Sequence, residues 1–135
     1  MNSTLKYLLA ILWIGSGLAM SQPSIAADDK GRLPDPLEAG WKGKKICENL
    51  IEDDRHRVLR CTFPPGGGHD RHHHAPHSGY VIAGGLMRIT DARGVREVDI
   101  KTGSTWTSDG HAWHEAINIG TSTAQYLIIE IKNPA

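Results

Sequence analysis

The most constraining feature of this chain is its punctuation. From Trp41 onward, short apolar runs alternate with Gly, Pro, Asn and Asp, and helical periodicity is almost absent. Val58–Phe63 stops at Pro64-Pro65-Gly66-Gly67-Gly68. Tyr80–Ala83 stops at Gly84-Gly85, and Leu86–Thr90 at Asp91-Ala92-Arg93-Gly94. Arg96–Ile100, Ser104–Thr107, His114–Ile119 and Ala124–Ile131 follow, each closed by a turn-forming segment. Together with a segment around Lys45–Ile51, these make about eight short strands at regular spacing, the pattern of an all-β domain. Exposed strand edges drive such a chain to close on itself. The expected fold is therefore a small antiparallel β-barrel or jelly roll.

The chain has 135 residues, room for one such domain. Lysines and arginines equal aspartates and glutamates at 15 each. This balance, with no basic patch and no helix-turn-helix segment, argues against a nucleic-acid partner. The first residues stand apart. Lys6 precedes an apolar run over Leu8–Met20, and small residues follow, ending at Ala26-Ala27. This is the layout of a secretory signal peptide over residues 1–27. An uncleaved anchor is the alternative, but the run is short for a span of about 20 residues. The expected location is the periplasm or exterior, with no stable membrane insertion after cleavage. Residues 28–40, with Pro34 and Pro36, read as an extended lead-in rather than a packed element, and residues 41–135 as the barrel.

Export bears on the two cysteines, because an oxidising compartment permits a disulfide. Cys47 and Cys61 flank Glu52-Asp53-Asp54-Arg55. If Lys45–Ile51 and His56–Phe63 form a hairpin, the two lie roughly opposite each other. A cross-strand disulfide is then open, provided the Cα atoms come within about 7 Å. Two buried thiols are the alternative.

The histidines are clustered. Five of the eight fall between His69 and His77, and two more are His111 and His114. On a strand, alternate side chains share a face, so His72 and His74 point the same way and can share one metal ion. His114, on a later strand, is the best third ligand. Imidazole suits several divalent metals, so the ligands alone do not select one. Three neutral imidazoles leave an ion its full charge, with open positions suited to an anionic, bidentate substrate. Alternation from His74 puts Ser78, Tyr80 and Ile82 inward and His77 outward, unless a bulge after Pro76 reverses it. His69, His73, His77 and His111 are expected at the rim or surface. His77 and His111 are the first choices for a further role, as a fourth ligand, proton shuttle or substrate contact. Tyr80 is the candidate for a hydroxyl facing the cavity.

These positions carry a resemblance. Gly66 to Gly85 resembles the first cupin motif, G-x5-H-x-H-x3-E-x6-G, with Gly66, His72, His74 and Gly85 in register. Gly103 to Asn118 resembles the second, G-x5-P-x-G-x2-H-x3-N, with Gly103, His114 and Asn118 in register. Ser78 stands at the glutamate position, Asp109 at the proline and His111 at the glycine. The resemblance implies a cupin barrel holding a divalent ion, Fe2+ first, with Zn2+, Mn2+ or Ni2+ as alternatives. It further implies a small-molecule ligand and a homodimer. The function expected is that of a mononuclear metal-dependent enzyme, dioxygenase-like or Lewis-acid. The rival is a non-catalytic barrel that binds a small molecule or the metal itself.

Overall fold

A computed structural model describes residues 32–132. The proposed signal peptide lies outside the described residues. Among them, no helix is long and apolar enough to cross a membrane.

Two short pairing strands, β1 (Gly40–Trp41) and β2 (Lys44–Lys45), open the fold. Nine longer strands follow: β3 (Cys47–Glu52), β4 (His56–Phe63), β5 (Gly68–His74), β6 (His77–Ala83) and β7 (Gly85–Asp91), then β8 (Gly94–Ile100), β9 (Thr105–Ser108), β10 (His111–Asn118) and β11 (Ala124–Ile131). They form a five-stranded sheet in the order β3-β4-β11-β6-β9 and a four-stranded sheet in the order β5-β10-β7-β8. All pairings in these two sheets are antiparallel. The β-barrel or jelly roll expected from the sequence is therefore the fold observed. Leu59, Cys61, Phe63, Val81, Met87, Ala116, Tyr126 and Ile128 form the apolar interior.

Three of the motif residues are structural. Gly66 and Gly103 sit at φ 72° and 81°, in the left-handed region where a Cβ is penalised. Asn118 is fully buried. Its amide donates to Phe63 O and Ser122 O, both at 2.8 Å, and its Oδ1 accepts from Gly120 N at 2.9 Å. It ties the end of β10 to the turns around it.

The lead-in segment is more than the sequence suggested. Among its described residues only Gly40 belongs to a strand, yet Pro36 and Ala39 are buried. His73 N donates to Pro34 O at 3.1 Å, and Asp35 pairs with Arg57 at 2.7 Å. Its carbonyls and one carboxylate fasten it to the barrel, which a polar, proline-punctuated pattern does not reveal.

Cys47 and Cys61 face each other in the β3–β4 register and form a disulfide. The link closes a loop with a sequence separation of 14. Constraining a loop of that length in the unfolded chain stabilises the fold by about 3 kcal/mol. The Cys47→Ala/Cys61→Ala variant is expected to lose about that much in denaturant unfolding. An unchanged midpoint would mean that the link contributes nothing.

Candidate metal centre

Strand β5 delivers His72 and His74 to the barrel interior on alternate positions, and β10 delivers His114. In the β5–β10 register, His114 stands opposite His72 and His111 opposite His74, with irregularities on both sides of His114. The Nε2 atoms of His72 and His74 are 3.0 Å apart, as are those of His72 and His114. One ligand atom from each of the three lies within 4.8 Å of the others. The structure thus brings together the three residues that the sequence singled out as ligands.

The partners of the other ring nitrogens fix the chemistry. His72 Nδ1 lies 2.6 Å from Asp70 O, and a carbonyl can only accept, so Nδ1 carries the proton. His74 Nδ1 lies 2.9 Å from Glu130 Oε1, and donates to that carboxylate. Both Nε2 atoms are then bare lone pairs facing each other at 3.0 Å, which is not a hydrogen bond. A proton on His114 Nε2 can satisfy His72, but nothing in the triad then satisfies His74. A shared cation resolves all three, so the donor set fits a metal ion. Burial first, and neighbouring histidines second, hold the three rings neutral. His72 is pushed down to about 4, and His74 and His114 are lowered further. Neutral imidazole is the form a metal requires.

Glu130 is the residue that sequence reasoning missed. It is 2% exposed and sits on the inward face of β11, behind His74. It also accepts from Arg57 Nε at 2.8 Å and from Arg57 Nη2, while Arg57 Nη1 reaches Asp35 at 2.7 Å. The result is a His74–Glu130–Arg57–Asp35 chain. A carboxylate that orients a metal-binding histidine in this way is a recurrent second layer of metal sites. The available signal was a glutamate in phase with Ala124, Tyr126 and Ile128 on an otherwise apolar strand face.

Several expectations are corrected. His69 and His77 are not at the rim, being 2% and 4% exposed. Tyr80 does not face the cavity. It is 43% exposed on the outer face of β6, and Ile82 shares that face. The alternation count from His74 fails because the chain changes sheets at Ala75-Pro76, and the parity restarts at His77. Both nitrogens of His77 are engaged, Nδ1 with Ala75 O at 2.8 Å and Nε2 with the Trp106 indole N–H at 3.3 Å. His111 is partly buried, its ring stacked on His114 at 4.9 Å, with Nε2 3.3 Å from Ser108 Oγ. His73 lies on the outer side of β5, against Leu33 O and Pro34 O.

Two of the three, His74 and His114, open onto a cavity of about 490 Å3. His74, His77, His111 and His114 line one part of it, and Met87, Ile89, Val98, Ile100 and Ile128 line much of the rest. A polar metal-binding wall facing an apolar wall is the usual make-up of a small-molecule site.

The family model for the cupin domain matches residues 59–130, more than half of the chain. The chain belongs to the cupin family. No curated protein matches the sequence as a relative. Among solved structures, this cupin is similar to a cupin domain from Bordetella pertussis Tohama I, at 23% identity and a TM-score of 0.62. That match covers 76% of this chain and 98% of the other. It is also similar to an RmlC-like cupin family protein with a double-stranded β-helix fold from Methanocaldococcus jannaschii. There the identity is 16% and the TM-score 0.54, over 66% of this chain and 81% of the other. These likenesses establish the fold. The cupin assignment, the three converging histidines and the cavity together describe a metal-binding cupin that receives a small molecule.

Proposed function

We propose that this cupin is an exported metal-dependent enzyme acting on a small anionic or enolisable substrate. His72, His74 and His114 would hold a divalent ion, with Fe2+ preferred over Zn2+, Mn2+ or Ni2+. The observation that carries the reading is the pair of unprotonated imidazole nitrogens, His72 Nε2 and His74 Nε2, meeting at 3.0 Å, with His74 lining a largely apolar cavity. A divalent ion there supplies Lewis-acid or dioxygen-activating chemistry. The chain's own residues do the rest. Glu130 holds His74 in the tautomer that presents Nε2. His111, stacked on His114 and hydrogen-bonded to Ser108, holds or passes a proton at the edge of the site. His77 positions Trp106 rather than moving a proton, because both its nitrogens are occupied.

Export is part of the proposal, with a signal peptide over residues 1–27 ahead of the barrel. The Cys47–Cys61 disulfide supports it, since such links persist in oxidising compartments. The test uses untagged mature protein, reconstituted anaerobically with iron and then exposed to a panel of 2-oxo acids, 2-hydroxy acids and β-diketones. The expected result is dioxygen consumption or substrate loss that disappears in His114→Ala. Reversible binding across the panel with no turnover would overturn the enzyme reading and leave a binding barrel.

A further inference from the structure

Arginines in this fold meet carboxylates through one edge of the guanidinium. Arg57 sets Nε and Nη2 on Glu130, Arg88 sets the same pair on Glu97, and Arg60 does so on Glu48. Arg93 places them on Asp91, at 3.4 and 2.8 Å. That edge is a planar fork suited to a carboxylate. Arg96 differs. It meets Asp91 through Nη1, at 2.8 Å, and among the described residues nothing hydrogen-bonds its Nε or Nη2.

Arg96 belongs to the cavity wall. On β8 it is in phase with Val98 and Ile100, and all three line the cavity. It stands opposite Ile89, as Val98 stands opposite Met87, so it extends the same inward row. Its side chain is 37% exposed, so a ligand can reach it. The register also ties it to the metal ligands. Asp91 is the β7 partner of His114, and residues directly opposite each other have Cα atoms about 5 Å apart. Asp91 shares the inward face of β7 with Met87 and Ile89. The guanidinium bonded to Asp91 is thus held one strand over from His114.

The local charge is unbalanced. Asp91 is 6% exposed and is shared by Arg93 and Arg96. The Arg93 hydrogen bond keeps its carboxyl well below the usual carboxylate range, so one anion meets two cations. Arg93 takes Asp91 with its fork, which leaves the excess charge on Arg96. Lys101, also in the lining, is matched by Asp99.

Resting on the metal-site reading above, we propose that the substrate is a short chain with two anionic ends. Its chelating head meets the ion at the triad. Its terminal carboxylate takes the Nε/Nη2 fork of Arg96, which keeps its Nη1 bond to Asp91. Arg96 is then the specificity residue that selects a dianion over a monoanion of the same length. Without Arg96 the lining would rank the two the other way. Met87, Ile89 and Val98 favour a methyl end, and an unpaired carboxylate is costly to bury.

The test uses zinc-loaded mature protein and two matched series of hydroxamates, titrated calorimetrically. One series ends in a carboxylate: the monohydroxamates of succinic, glutaric and adipic acids. The other ends in a methyl group: butyro-, valero- and hexanohydroxamate. The best carboxylate is expected to bind about tenfold tighter than its methyl counterpart, the gain from one charge-assisted pairing. In Arg96→Gln that preference should vanish or reverse, while the methyl series binds as before. Arg96→Lys keeps a cation for Asp91 without the fork and should retain only part of the preference. Both variants should load zinc normally, because Arg93 continues to hold Asp91. An arginine that served only to pair with Asp91 would not set the choice between the two ends. Equal binding or a methyl preference at every length in the wild type would overturn the inference. So would an undiminished carboxylate preference in Arg96→Gln or a full one in Arg96→Lys. Failure of the wild type to load zinc would overturn the metal-site reading with it. Normal loading without carboxylate preference would remove this inference alone.

Discussion

Replacing His72 and His114 together by alanine is expected to take bound metal from about one ion per chain to none. Elemental analysis of protein purified without chelators measures this directly. The effect should be near-total because His74 is left as a single imidazole. The larger consequence is energetic. A ligand that binds only the folded state stabilises it by about 4 kcal/mol when present at a thousand times its dissociation constant. A chelator should therefore destabilise the wild type by several kcal/mol in denaturant unfolding and leave the double variant where it is. The metal-free wild type and the variant should lie close together. In the absence of an ion, the triad confines lone pairs that face each other at 3.0 Å, and alanine relieves that conflict while it removes buried volume. Equal metal content in the two proteins would place the ion elsewhere and end the three-histidine reading.

The strands were legible because turn chemistry at Pro64–Gly68, Gly84-Gly85, Asp91–Gly94 and Gly120–Ser122 marks their ends. The triad was legible because His72 and His74 share a strand face and His114 falls in register with a second spaced motif. Inward-facing parity was legible within a strand and lost between strands. At Ala75-Pro76 the chain passes from the four-stranded to the five-stranded sheet, so a count carried across from His74 turned Tyr80 inward and His77 outward, opposite to the fold. The second layer of the site was hidden for another reason. Arg57 meets Glu130 across 73 positions of sequence and Asp35 across 22. No local pattern carries such pairings. They follow from β4 lying beside β11 and from the lead-in segment packing against the barrel.

Glu130 is where fold and site depend on one side chain, so its removal should affect both. Glu130→Ala leaves the His74 Nδ1–H without an acceptor and strips two hydrogen bonds from Arg57, which keeps only Asp35. Breaking a buried ion pair from one side costs about 3–5 kcal/mol, and the variant's unfolding midpoint should fall accordingly. The metal site should weaken as well, by about 10- to 100-fold in affinity, the range found when a carboxylate behind a metal-binding histidine is removed. The mechanism is loss of the tautomer lock: with Nδ1 unpaired, the His74 ring can place its proton on Nε2 and turn away from the ion. Glu130→Gln separates the two effects. Its carbonyl oxygen can still accept from one neighbour, but its amide N–H group faces either His74 Nδ1–H or the Arg57 guanidinium. The variant keeps the shape of the site and loses the carboxylate's ability to accept from both. Chelator-competition titrations on the folded glutamine variant should still show weaker metal binding. If the glutamine variant bound metal as tightly as the wild type, Glu130 would be a structural anchor for Arg57 alone, and His74 would owe its orientation to packing in the barrel.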